Sequence, residues 1–176
     1  HAGKVRYLGA SNHAAWELMQ ALWASDKMGL ARYDCLQPHY NLVHRAEFEN
    51  ELSAVCKTYG LGVIPYSPLA AGFLTGKYRQ GQSLPESVRA GGMQHLFTVQ
   101  NWHLLDHLDE LAKAHDASIS QIALAWLLAG PLITSPIIGP RTLEQLNDNL
   151  GALHVELAAE EKAVLERASA WRRDED

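Results

Sequence analysis

The segment Tyr66-Ser67-Pro68-Leu69-Ala70-Ala71-Gly72-Phe73-Leu74-Thr75-Gly76-Lys77-Tyr78 places four kinds of group in order: a flat ring, a hydroxyl, a flexible Gly-containing stretch and a lysine. It follows a short apolar run, Gly62-Val63-Ile64-Pro65. Such a set suits an aromatic cofactor ring joined to phosphate, because the Tyr66 face stacks and the Lys77 ammonium meets negative charge. Ser11, Asn12 and Gln37 offer both donors and acceptors, which suits a carboxamide. Arg89 is a second cation within the same long loop, and Gly139-Pro140-Arg141 leads into a helix whose N-terminus favours an anion. Together these groups describe a nicotinamide ring at one end and an adenosine phosphate at the other.

Taken singly, each residue also has a plainer role. Asn12 fits a helix cap, and Tyr66 before Ser-Pro fits a packed ring at a strand end. Thr142 and Gln145 have the spacing of a capping box, which would occupy Gln145 without any ligand. Lys77 and Arg89 fit ordinary surface charges. The weight lies in their clustering at the ends of strands. Other motifs fail on spacing. Gly72 to Tyr78 has three residues between its glycines and ends in Tyr, so it is not a phosphate-binding P-loop. Gly60-Leu61-Gly62 precedes a strand and lacks the third glycine of a dinucleotide fingerprint. His103 and His107 stand four apart without a third ligand at suggestive spacing, so no metal site is assigned. No Gly-x-Ser-x-Gly elbow occurs.

The elements that must hold these groups alternate. Strands are expected at Val5–Ala10, Tyr33–Gln37, Gly62–Tyr66 and Pro136–Gly139, from β-type runs bounded by turn residues. Ser11-Asn12 would start the first helix, with Ala15, Leu18, Met19 and Leu22 at helical spacing and Gly29 closing it. The second helix carries Phe48, Leu52, Val55, Cys56 and Tyr59 on one face and ends at Gly60. Leu104, Leu108, Leu111 and Ala112 mark a third. Ser118-Ile119-Ser120-Gln121 is a capping box opening the next, Ile122 to Ala129. Thr142 to Leu150 and about Ala158 to Ala170 follow. Strands alternating with helices imply parallel pairing through right-handed crossovers. Four such units are expected to make half of a (β/α)8 barrel, with ligands at the C-terminal strand ends. The connection over residues 67–100 exceeds the ~12–15 residues of a passive loop and reads as a binding loop or lid. Residues 1–170 form this half barrel and 171–176 a disordered tail.

With 176 residues and a net charge of −5, the chain can bury a real core and has no basic cluster for a nucleic-acid partner. No apolar run reaches the ~18 residues of a membrane span, and no signal peptide is evident. Cys35 and Cys56 are too few for a disulfide framework and read as buried free thiols, and a reducing cytoplasm is the default expectation. A half barrel leaves two parallel edges, at Val5–Ala10 and Pro136–Gly139. These should be covered by a missing N-terminal half or by self-association. The start at His1 lacks an initiator Met and reads as a segment of a longer or processed chain.

Four blocks resemble the aldo-keto reductase family in order and spacing: Gly3 through Asn12, Gln37-Pro38-His39-Tyr40-Asn41-Leu42, Tyr66 through Tyr78, and Ile138 through Asn149. The variant resembles the branch that includes bacterial general-stress-type reductases and potassium-channel β subunits. The resemblance implies an NADP(H)-dependent oxidoreductase reducing aldehydes or ketones to alcohols; the alternative is a non-catalytic, cofactor-binding regulatory protein of the channel-subunit kind. It implies that Ser11, Asn12 and Gln37 hold the nicotinamide carboxamide and that Tyr66 stacks on the ring. Ser67 and Leu69 would lie along the pyrophosphate, and Pro68 and Gly72 of the same segment would also touch the cofactor. Lys77 and Arg89 would neutralise phosphate, Arg141, Gln145, Asp148 and Asn149 would enclose the adenine nucleotide, and Gly139 would also be cofactor-binding. Many members have Lys at the position of Gly139; here Arg141 or Arg89 would serve a 2′-phosphate, and NAD is the alternative cofactor. The family's catalytic Asp, Tyr, Lys and His all fall before the Gly3 block. No residue of this chain is assigned a catalytic role, and the chain alone is expected to be inactive.

Overall fold

The computed structural model describes residues 3–81 and 92–171. Three strands form one parallel sheet in the order β1 (Leu8–Ser11), β2 (Tyr33–Gln37), β3 (Gly62–Val63). Helix α1 (Ala15–Met28) links the first pair, and α2 (Ser53–Tyr59), entered through a π-helical turn at Phe48–Leu52, links the second. Gly29 and Gly60 close these helices in the left-handed conformation, which costs a glycine little. Further on lie α3 (Val99–Ala114), α4 (Ile119–Leu128), α5 (Leu143–Gly151) and α6 (Ala159–Ala168).

Strand side chains alternate between two faces. Ala10, Leu36 and Val63 are at most 2% exposed and share one core cluster with Leu18 and Leu22 of α1 and Cys56 of α2. The alternate positions behave differently: Ser11, Cys35 and Gln37 are half-buried and Gly9 is exposed. The sheet is therefore covered on its helical side and open on the other. Its flanks are also open. Val5, Tyr7, Trp16 and Trp23 are exposed near β1 and α1, and Ile137, Leu143, Leu150 and Leu153 near α5. No helix among the described residues is long and apolar enough to cross a membrane.

Several expected boundaries move. The first strand begins at Leu8, not Val5, because its partner begins at Tyr33 and residues before Leu8 have no neighbour to pair with. The third stops at Val63. Beyond it Ile64 N–H still donates to Leu36 O at 2.9 Å, but Pro65 has no N–H, and toward β2 the pairing continues as a bridge between Tyr66 and His39. The fourth is not a regular strand. Ile133 bridges Val63 and Ile137 bridges Tyr66, held by Thr134 N–H to Val63 O and Ile137 N–H to Pro65 O, each 2.8 Å. Pro136 cannot donate between those two points, so no ladder forms.

Ser11 and Asn12 do not start α1. Its first cap is Ala14, whose N–H donates to Glu17 Oε2 at 2.7 Å. Cys56 is buried, and burial pushes its thiol up to about 11; Cys35 is only half-buried, contrary to expectation. The long connection is also less loop-like than its composition suggests. It contains 3-10 turns at Ala70–Thr75 and Gln94–Leu96, and Phe73, Leu74, Tyr78 and Met93 join the core. Trp171 belongs to the folded body, not to a tail: its indole N–H donates to Glu49 Oε2 at 2.9 Å.

Candidate functional site

The strands deliver their C-terminal ends to one side of the molecule, and two clefts lie there with Tyr66 lining both. The larger cleft encloses about 770 Å3. Tyr66, Ser67, Pro68, Leu69 and Gly72 form one of its walls, and Lys77 lies against that wall. Gly139, Arg141, Gln145, Asp148 and Asn149 form the facing side. So the two sequence segments nominated for one ligand, about 70 residues apart, do meet.

The backbone of the first wall is strained. Ser67, Ala70 and Ala71 have φ of 55°, 47° and 54°, a region costly for residues with a Cβ. Gly72 follows at φ 98°. A Cβ there would stand 2.9 Å from Lys77 Nζ and 3.1 Å from its Cε. Glycine at this position lets the lysine lie across the turn, with its ammonium 5.1 Å from the centre of the Tyr78 ring. A packed aromatic floor of Phe73, Tyr78, Phe97 and Trp102 supports the turn from below.

On the facing side, Thr142 Oγ1 accepts from Gln145 N–H at 3.2 Å and so caps α5. The expected reciprocal half of a capping box is shifted by one residue: Gln145 Oε1 accepts from Arg141 N–H at 2.9 Å. That bond ties the Arg141 backbone to the positive end of the helix. Asp148 lines the cleft, yet its carboxylate is already engaged. Oδ2 accepts from Ser118 Oγ at 3.1 Å, and Oδ1 accepts from Gln121 Nε2 at 3.1 Å. The Ser118–Gln121 capping box of α4 thus also anchors α5. Gly151 leaves room for that Gln121 side chain, which a Cβ would strike.

At the ring end, Ser11 and Gln37 are register partners, and Ser11 Oγ donates to Gln37 O at 2.9 Å. Asn12, at φ 55°, accepts the Tyr66 hydroxyl proton on Oδ1 at 3.2 Å. Asn12 and Tyr66 line the second cleft, of about 670 Å3, with His13, His39, His44, Glu47 and Trp171. Arg89 lies outside the described residues.

Sequence reasoning passed over the residues behind Tyr66. The His39 ring stacks on Tyr66 with centroids 5.0 Å apart and planes 12° apart, and His44 stacks on His39 at 3.9 Å and 21°. Asn41 is fully buried. Its Oδ1 accepts from Val43 N–H at 3.0 Å, its Nδ2 donates to Ser67 O at 2.9 Å, and Nδ2 also lies 3.4 Å from His39 Nε2. The signal was present: a polar residue flanked by Tyr40 and Leu42, both buried. Ser120, Ala71 and Thr75 also line the larger cleft without having been nominated.

A third polar cluster lies away from both clefts' centres. Arg45 donates to both Glu49 carboxylate oxygens (Nε to Oε1 2.7 Å, Nη2 to Oε2 3.0 Å) and to Ser169 Oγ and Glu166 O, each 2.8 Å. Tyr40 donates to Glu49 Oε1 at 2.8 Å. Burial by itself would raise the Glu49 pKa, but the donors Arg45, Trp171 and Tyr40 outweigh it and hold the carboxyl below its usual value. Burial and the Glu49 charge push the Tyr40 phenol upward.

The chain belongs to the aldo/keto reductase family, whose profile matches residues 1–170. The fold of that family is a TIM barrel, and a parallel sheet covered by helices on one side is consistent with part of one. It is 35% identical over 159 residues to the uncharacterized oxidoreductase YrpG of Bacillus subtilis, covering 90% of this chain and 47% of that protein. It is 34% identical over 172 residues to Protein tas of Escherichia coli, covering 94% and 48%. Versiconal hemiacetal acetate reductase of Aspergillus parasiticus is 32% identical over 168 residues, covering 94% and 48%. The chain thus spans about half the length of these curated relatives.

Proposed function

We propose that this chain is the cofactor-binding half of an NADP(H)-dependent reductase of aldehydes or ketones, built as half of a (β/α)8 barrel. The observation that carries the reading is a single cleft joining Tyr66 to Lys77 and Arg141. Neither cation has an acidic partner among the described residues, whereas Arg45 and Arg79 do. The cleft size falls within the ~300–1,000 Å3 usual for small-molecule sites. A flat ring at one end, with two unpaired cations and a capped helix N-terminus at the other, fits a dinucleotide.

In this reading Ser11, Asn12 and Gln37 orient the carboxamide, and Tyr66 fixes the plane of the ring. Ser67, Leu69 and Gly72 border the diphosphate, and Lys77 neutralises it. Arg141 meets the phosphate of the adenosine end, while Gln145 and Asn149 border the base. A bound reduced nicotinamide supplies hydride to a carbonyl carbon. The proton for the carbonyl oxygen is left to residues outside this chain, since general acid catalysis needs a positioned donor and none is assigned here. Relatives about twice as long accord with that division. Covering the open flanks of β1 and α5 would be the task of the other half barrel. Free thiols at Cys35 and Cys56 suit a reducing cytoplasm.

The test is a titration of NADP(H) and NAD(H) against the protein and its Arg141→Ala and Tyr66→Ala variants. Arg141→Ala should lose more affinity for NADP than for NAD, and Tyr66→Ala should lose both alike. Salt should weaken binding, because phosphate charge is involved. Equal losses in Arg141→Ala would remove its 2′-phosphate assignment. Binding without turnover of an activated aldehyde by the whole protein would favour a regulatory, non-catalytic role instead.

A further inference from the structure

Tyr66 can orient a cofactor ring only if its own ring is held. Its hydroxyl is tethered by the 3.2 Å bond to Asn12, an exposed residue in the left-handed conformation. Its face has a second support, the His39 imidazole, stacked nearly parallel to it with centroids 5.0 Å apart. His39 is itself placed twice: by the bridge that sets it beside Tyr66 across the sheet, and by His44 stacked on its far side.

The hydrogen bonds around Asn41 fix which form of His39 fits. Val43 N–H needs an acceptor and Ser67 O needs a donor, so the Asn41 amide can be oriented only one way. Nδ2 therefore presents a donor to His39 Nε2, which must accept, and the ring proton belongs on Nδ1. A proton added at Nε2 would set donor against donor. Any positive charge on His44, 3.9 Å away, opposes another on His39. Glu47 pulls the other way, with Oε2 3.2 Å from His44 Nε2, and His13 and Glu51 line the same cleft. The balance, led by burial and then by His44, lies below the ordinary 6.5 of histidine.

We propose that His39 is a positioning residue for the cofactor ring: its neutral imidazole, accepting from Asn41 and stacked on Tyr66, fixes the Tyr66 plane, and protonation releases it. This rests on the reading of Tyr66 as the ring-stacking residue. The linkage has a definite sign. A folded-state pKa below that of the free side chain means that the stack is intact above the ordinary His range. It is lost as pH falls through the lower, folded value. Cofactor affinity should fall with it.

The test is NADP+ binding from pH 8 to 5 by the protein and by His39→Phe, which keeps a stacking ring and cannot titrate, and His39→Ala, which does neither. Circular dichroism checks that both variants fold. At pH 8, His39→Phe should bind within about twofold of wild type, and His39→Ala about 2–12-fold more weakly, the worth of one aromatic pair. The 2′-phosphate also titrates in this range, so the informative quantity is the ratio of wild-type to His39→Phe affinity. That ratio should fall on acidification, with NAD+ showing the same fall. His39→Ala binding like wild type, or His39→Phe keeping the wild-type pH profile with both cofactors, overturns the proposal. A separate readout uses the cofactor-free protein: the Tyr66 ring proton resonances should shift with the midpoint of His39. Wild-type protein that binds neither cofactor overturns the cofactor reading and this role with it. Binding that survives while the Tyr66 signals ignore His39 overturns the positioning role alone.

Discussion

Arg45 and the pair Lys77–Arg141 put positive charge to opposite uses. Arg45 directs its guanidinium donors at Glu49, Ser169 and Glu166 and lies over the Trp126 ring, 5.5 Å from its centre. It joins the turn after β2 to α6, more than 120 residues on. Lys77 and Arg141 are exposed, have no ion pair among the described residues, and share a cleft. A cation whose donors are spent on the fold offers a ligand nothing. A cation left unpaired beside a helix N-terminus is free to take an anion. The contrast separates a structural cluster from a binding one even though both sit among aromatic rings.

The largest effect should come from cutting the structural cluster. Arg45→Met leaves Glu49 half-buried without its cation and should cost about 2–3 kcal/mol in urea unfolding, less than the ~3–5 kcal/mol of a fully buried pair because solvent reaches this one. NADP+ affinity at saturating folded protein should not change. The same cluster should show in acid. With the Glu49 carboxyl held below its ordinary 4.5, its stabilisation is complete above that value and is lost as pH falls through the lower, folded one. The Glu49→Gln protein should lack that component of the acid-unfolding curve.

Next comes the turn that carries Lys77. Gly72→Ala meets both a φ of 98° and the lysine side chain at 2.9 Å, and should cost about 1–2 kcal/mol of stability while weakening cofactor binding. An unchanged melting temperature with normal binding would show that the turn relaxes freely. Thr142→Ala removes the α5 cap and should cost about 1 kcal/mol, checked by thermal unfolding. Smallest in stability is Arg141→Ala, expected within about 0.5 kcal/mol of wild type because its side chain has no hydrogen-bond or ion-pair partner among the described residues. Its effect belongs to binding alone, about tenfold on NADP if one charge-assisted contact is lost. A large loss of stability there would blur the contrast with Arg45.

Much of this was legible in the chain. The closing glycines Gly29 and Gly60 and the Ser118–Gln121 cap follow from groups within four residues of one another, whose geometry hardly depends on the rest. The grouping of Tyr66–Lys77 with Gly139–Asn149 was also legible, because parallel strands separated by helices must end on the same side. What only the tertiary structure decided are partnerships between distant residues. Local composition made Asn12 a cap, but its oxygen accepts from Tyr66, 54 positions on. The family resemblance set Asp148 beside the adenine nucleotide; that Ser118 and Gln121 hydrogen-bond its carboxylate is visible only in the packed chain. The last apolar run had the residues of a strand, but prolines and a two-residue neighbour left it only bridges. The apolar neighbours of Asn41 marked it as a buried polar residue, but nothing local showed that it and His39 stand behind the Tyr66 ring. Hydrogen bonds and ring stacks act over a few ångströms in space, and only the packed chain determines which residues come that close.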